Sequence, residues 1–167
     1  KAYYYIDRNE HSKAIPHLRT AISRSDDKER KARFSFILAQ LLQREGQQQK
    51  AFAAFDEASG YANNYDMAFA ARLNVLRNAF ASGERSAEET LEQLDDMLAD
   101  GKNKEYKDQI YYTKAEIALA TEDEALAKRH LHASLKNSSG SALQRAESYY
   151  RLAELYYDDG AFVKSKN

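Results

Sequence analysis

Small side chains recur along this chain about every 38 residues, and this period constrains the fold more than any other feature of the sequence. The positions that carry it are Ala14, Ala51, Thr90, Ala127 and Ser165. After each of the first four, a large apolar residue follows four positions later, at Leu18, Phe55, Leu94 and Leu131. A second set lies about twelve residues upstream, at Ala2, Ala39, Ala115 and Ala153. Two such positions per period are what stacked helical hairpins require, because helices approach closely only where their side chains are small.

This pattern is that of the tetratricopeptide repeat in a slightly lengthened form, and it predicts an all-α superhelical array of helical hairpins. A single proline and six glycines among 167 residues also favour helices. We expect residues 1–167 to form one repeat domain. Because both ends of the sequence cut through a repeat, we expect a fragment of a longer protein whose incomplete terminal hairpins pair with another copy or fray.

Five hairpins can be placed on the sequence from the periodicity of apolar residues and from turn signals. Their helices are predicted at 3–7 and 13–24, at 28–45 and 48–59, at 65–81 and from Ser86 onward, at 104–121 and 123–136, and at 141–157. The third hairpin is the irregular one, and its second helix begins with Ser86 and Glu89 at the spacing of a capping box.

Charge and composition exclude several classes of function. The net charge is −1, so no overall field attracts nucleic acid or an anionic membrane. The first 50 residues are basic and the next 50 are acidic. One interpretation is that this asymmetry orients a binding partner; the other is that it only reflects helix faces exposed to solvent. The chain has no cysteine, which excludes disulfides and thiolate metal sites. No apolar stretch reaches the length of a membrane span, so we expect membrane contact only through an anchor outside this sequence.

We find no sequence signal for catalysis, a metal or a cofactor. His130 and His132 are two positions apart on a predicted helix, where side chains diverge by about 200°, whereas metal ligands on one helix face are three or four apart. The carboxylates cluster at predicted helix ends and turns, where solvation and the helix dipole account for them. No phosphate loop or nucleophile motif is present, so we predict that the protein is not an enzyme.

The candidate binding surface is the inner face formed by the first helix of each hairpin. The residues that we select on it are Arg33, Phe36, Gln40, Tyr112, Glu116, Tyr150, Glu154 and Tyr157. Tyrosine is an efficient interface residue because it offers a large area with few rotatable bonds. The alternative is that these rings only pack between repeats, which is the role expected of Tyr111, Tyr149 and Tyr156.

Three segments carry a more specific resemblance: KARFSFILAQL at 31–41, YDMAFAARLN at 65–74 and KNKEYKDQIYY at 102–112. They resemble the periplasmic tetratricopeptide lipoproteins of Bacteroidetes of the SprE/PorW type. The resemblance implies a lipoprotein that is anchored in the outer membrane, faces the periplasm and takes part in type IX secretion and gliding. The lipidated cysteine of such proteins would lie upstream of this sequence.

The sequence therefore predicts a non-enzymatic scaffold that binds other proteins or peptide segments. The resemblance implies that these partners are periplasmic secretion components. The alternative is a regulatory or substrate-recruiting repeat domain attached to an enzyme or sensor module elsewhere in the full chain. The upstream sequence would separate the two, because a lipobox cysteine supports the first and a kinase or DNA-binding module the second.

Overall fold

The computed structural model describes residues 1–138 and 141–158, and within them the chain is helical, with no strand. The helices are α1 (Ala2–Asp7), α2 (His11–Arg24), α3 (Lys28–Arg44), α4 (Gln48–Tyr61), α5 (Tyr65–Ala81), α6 (Ala87–Ala99), α7 (Lys107–Ala120), α8 (Glu124–Lys136) and α9 (Ala142–Asp158). They follow the predicted order of hairpins closely. No helix among these residues is long and apolar enough to cross a membrane.

Polar side chains fix where several helices begin. The Asp27 carboxylate accepts hydrogen bonds from two backbone amides in the first turn of α3, those of Glu29 and Arg30. The same kind of cap is formed by Asn64 at α5 and Asp123 at α8. Each cap satisfies an amide that has no partner within the helix.

The turns inside four hairpins have a residue with a left-handed backbone, the first of them Asn9 between α1 and α2, with a φ of +55°. Gly46 after α3 has a φ of +71° and Gly83 after α5 a φ of +76°, a region that glycine enters without steric cost. In the turn between α7 and α8 a glutamate, Glu122, takes this conformation with a φ of +62°. Glutamate is uncommon in this conformation, and the turn between α7 and α8 has no glycine that would mark it in the sequence.

The predicted start of the fourth hairpin differs from the observed one. A helix was expected from residue 104, but a 3₁₀ helix spans Gly101–Tyr106 and α7 begins only at Lys107. Asp100 accepts a hydrogen bond from the amide of Lys102, and the buried Asn103 side chain donates to the Met97 carbonyl at 2.8 Å. These local bonds hold the tighter winding, which short helical segments often adopt next to an α-helix.

The chain divides into two compact units, Lys1–Ser86 and Ala87–Asn167, and the division falls inside the third predicted hairpin. In unit 1 each helix packs on the next one along the chain, from α1 to α5. Its core combines small and large side chains of α2, α3 and α4, among them Ala14, Leu18, Leu38, Ala39, Leu42, Ala51 and Phe55. The three alanines are completely buried, which agrees with the close helix contacts that the period predicts.

In unit 2, α6 packs on the 3₁₀ helix and on α7, α7 packs on α8, and α8 packs on α9. The core under the last three helices contains Ala115, Ala118, Ala127, Leu131, Leu152 and Leu155. Ala115 and Ala127 are buried as the period predicts, whereas Ala153 is half-buried. Ser165, the last position of the period, lies outside the described residues.

Candidate functional site

The eight residues predicted to line the inner face divide between the two units. Three of them lie on α3 in unit 1 and five on α7 and α9 in unit 2. Arg33 and Gln40 are exposed on α3. Phe36 is half-buried, and its ring forms a T-shaped pair with the buried ring of Phe55, with the centroids 5.2 Å apart. The α3 positions therefore present one cation and one amide to solvent, while Phe36 packs against the core of its unit.

Helix α7 contributes Tyr112 and Glu116, which are one helical turn apart and half-buried. Tyr112 packs against the core of unit 2. Both side chains act electrostatically on Arg151 of α9, so the polar edge of α7 faces the polar edge of α9.

Helix α9 carries the most exposed part of the site. Tyr150 and Tyr157 are 67% and 62% exposed, and Leu143 is 72% exposed. At 3.6 residues per turn, these three residues and the glutamates Glu147 and Glu154 fall within an arc of about 80° on the helix surface. Together they form one stripe of alternating apolar and acidic side chains, which we call the α9 stripe.

Glu154 is held in place within the α9 stripe. The Arg151 guanidinium donates a hydrogen bond to its carboxylate at 2.9 Å, and the Tyr150 hydroxyl donates a second. These two bonds, the one from Arg151 first, lower the pKa of Glu154 below its ordinary value. The same contact with Glu154 raises the pKa of the Tyr150 hydroxyl. At neutral pH the stripe therefore presents a fixed negative charge beside an aromatic ring.

Leu143 and Arg151 were missed when the site was predicted from the sequence. Leu143 could have been found, because it precedes Tyr150 by seven residues and shares its helix face. Arg151 is rotated by about 80° from the centre of the stripe. The periodic pattern therefore does not select it, and only its contact with Glu154 shows that it belongs to the site.

Two of the three tyrosines expected to pack between helices do so. The ring of Tyr111 on α7 stacks on His130 of α8 with the centroids 6.3 Å apart. Tyr156 of α9 reaches the other histidine, its hydroxyl lying 3.1 Å from His132 Nε2. For Tyr149 the expectation was wrong, because this side chain is 59% exposed.

His130 and His132 thus contact two different helices, α7 and α9, as their angular divergence on α8 predicts. Burial, and then the charge of Lys114, lower the pKa of His130 below its ordinary value. Among residues 1–138 and 141–158, no three His, Asp or Glu side chains are grouped so that they could hold a metal ion.

Comparison with known proteins identifies a similar fold among solved structures but no relative by sequence. No protein-family model matches the chain, and no curated protein matches it by sequence. Among solved structures, the crystal structure of MamA is similar, with a TM-score of 0.61 at 10% identity, over 98% of this chain and 87% of that one. MamA is a tetratricopeptide-like helical repeat protein. This likeness confirms the predicted tetratricopeptide-like fold, whereas the resemblance to the SprE/PorW type stays a prediction.

Proposed function

We propose that this chain is a scaffold that carries out no reaction of its own and binds segments of other proteins through the inner faces of its hairpins. The observation that carries the proposal is the α9 stripe. Tyr150 and Tyr157 are more than half exposed although they are large and partly apolar, and the carboxylate between them is held by Arg151. Exposed aromatic side chains next to ordered polar groups are typical of protein-binding surfaces.

The fold supports the same proposal. Repeats of helical hairpins build extended surfaces from the first helix of successive hairpins, and such surfaces bind extended or helical segments of a partner. Phe36 and Gln40 on α3 align with Tyr112 and Glu116 on α7 when the repeats are superposed on Ala39 and Ala115. Each unit would then carry a binding surface of its own.

Site-specific photo-crosslinking in cells tests this proposal. A photoreactive phenylalanine analogue at Tyr150 is expected to capture a partner protein. The same analogue at Glu92, which is exposed on α6, serves as the control and is expected to capture much less. Equal capture at the two positions, or capture only at Glu92, would move the binding surface away from the inner face.

We further propose that the full protein is a periplasmic lipoprotein of the outer membrane that works with components of type IX secretion. This proposal depends on the three segments that resemble the SprE/PorW type. Metabolic labelling of the full-length protein with a radioactive fatty acid, followed by separation of inner and outer membranes, tests it. Label in the outer-membrane fraction supports the anchor, and unlabelled protein in the cytoplasmic fraction contradicts it.

A further inference from the structure

The spacing along the α9 stripe defines the shape of a partner. Leu143, Tyr150 and Tyr157 recur every seven residues and cover about 21 Å of helix at 1.5 Å per residue. A seven-residue repeat of apolar side chains along an exposed helix matches the seam by which a second helix packs alongside. An extended strand places alternate side chains on opposite faces and does not match this repeat.

The charges along the α9 stripe define the chemistry of that partner. Glu147 and Glu154 each follow an apolar residue of the seam by four positions, which places them beside the seam where flanking charges of paired helices meet. Glu154 is held by hydrogen bonds from Arg151 and Tyr150, so binding a cation there requires little further ordering. The exposed faces of the two tyrosines also favour cations.

The protein already uses tyrosine faces in this way within its own fold. Lysine ammonium groups lie 5.5 Å from the centroid of Tyr61 and 5.4 Å from that of Tyr156. The Arg8 guanidinium lies 5.4 Å from the centroid of Tyr4. Arg151 approaches Glu154 from the edge of the stripe, and the glutamate side chain is still 37% exposed.

We propose that the α9 stripe binds an amphipathic helix of a partner protein, with apolar residues at seven-residue spacing and lysine or arginine residues flanking them. This inference rests on the proposed function and specifies the partner that one part of the inner face selects. The apolar side chains of the partner helix pack between Leu143, Tyr150 and Tyr157, and its cations meet Glu147 and Glu154. Electrostatic complementarity of this kind rejects an acidic helix of the same shape.

Three synthetic helical peptides of equal length test the proposal by fluorescence anisotropy. All three carry leucine at every seventh position, and their flanking positions hold lysine, glutamine or glutamate. We expect the lysine peptide to bind most tightly, with an affinity that falls as salt is raised. Chemical-shift changes in the NMR spectrum should centre on Tyr150.

Paired variants separate the role of charge from that of shape. Glu147→Gln with Glu154→Gln is expected to weaken the lysine peptide on the order of tenfold, as loss of charge-assisted contacts does. Glu88→Gln with Glu92→Gln removes the same charge from exposed positions of α6 and should leave the affinity unchanged. Circular dichroism of each variant verifies that the helices are intact.

The results distinguish this inference from the proposed function. Tightest binding of the glutamate or glutamine peptide, an equal effect of the two variant pairs, or no binding of any peptide would overturn the basic-helix proposal. In each of these cases, capture of a partner by crosslinking at Tyr150 would still support protein binding by the inner face. If crosslinking at Tyr150 also captures no partner, both proposals fail.

Discussion

The ion pair between Lys114 and Asp95 should respond very differently to the loss of each partner. Lys114 Nζ on α7 donates to Asp95 Oδ1 on α6 at 2.5 Å. The lysine side chain is only 9% exposed, whereas the aspartate side chain is 61% exposed. Removing the lysine therefore leaves a carboxylate that water can solvate, but removing the aspartate leaves an ammonium group that water cannot easily reach.

The magnitudes follow from this asymmetry. Asp95→Ala removes a hydrogen bond between charged groups and strands the buried ammonium, which should lower the free energy of unfolding by about 1.5–3 kcal/mol. Lys114→Met keeps the long apolar stem and removes the charge, so the free energy of unfolding should stay within about 1 kcal/mol of wild type. The double variant should resemble Lys114→Met, because no ammonium then remains to be stranded.

Urea unfolding at pH 7, monitored by circular dichroism, measures these differences. An NMR titration of His130 adds an independent readout, because Lys114 lowers the pKa of this histidine and Asp95 raises it. Lys114→Met should thus raise the His130 pKa and Asp95→Ala should lower it further. Equal losses of stability for the two single variants would refute the argument, as would a larger loss for Lys114→Met.

Two further predictions concern the core and a buried carboxyl. Ala39→Leu should overpack a completely buried position and lower the free energy of unfolding by about 1–3 kcal/mol. Ala153→Leu changes a half-buried position and should lower this free energy less. Urea unfolding compares the two variants, and a larger loss for Ala153→Leu would contradict the packing argument. Burial raises the pKa of Asp108 in the folded state. Between the pKa of the unfolded chain and this higher pKa, the folded state holds a proton that the unfolded chain releases. The free energy of unfolding therefore falls as the pH rises from the lower pKa to the higher one. Asp108→Asn should therefore gain stability relative to wild type as the pH rises above the ordinary pKa of an aspartate, measured in the same assay. A difference in stability that stays constant with pH would refute this prediction.

The helices could be predicted from the sequence because local signals and the repeat period agree. Ala39 and Ala51 mark two helices that pack closely, and both are fully buried. Asp27 precedes its helix in the sequence and caps it in the structure. The glycine turn at Gly46 has the backbone conformation that glycine favours.

Other features depend on tertiary contacts that no local pattern encodes. The 3₁₀ helix before α7 is held by a bond from Asn103 to the Met97 carbonyl, six residues away, and the division of the chain after Ser86 follows from which helices pack together. Tyr149 and Tyr156 are seven residues apart and lie on similar faces of α9, but only Tyr156 meets a histidine of α8. Periodicity gives the direction of a side chain, whereas the neighbouring helix decides whether it is covered.

The packing of each helix of unit 1 on its chain neighbours has a consequence for how the emerging chain folds. Contacts between elements close in sequence need only short loops to close, and chains rich in such contacts fold quickly. Because the chain emerges with its N-terminus first, whether from the ribosome or from an export channel, α2, α3 and α4 can bury Ala39 and Phe55 before any residue of unit 2 has emerged. Apolar surface of the nascent chain is then covered early, which shortens the time during which it can aggregate.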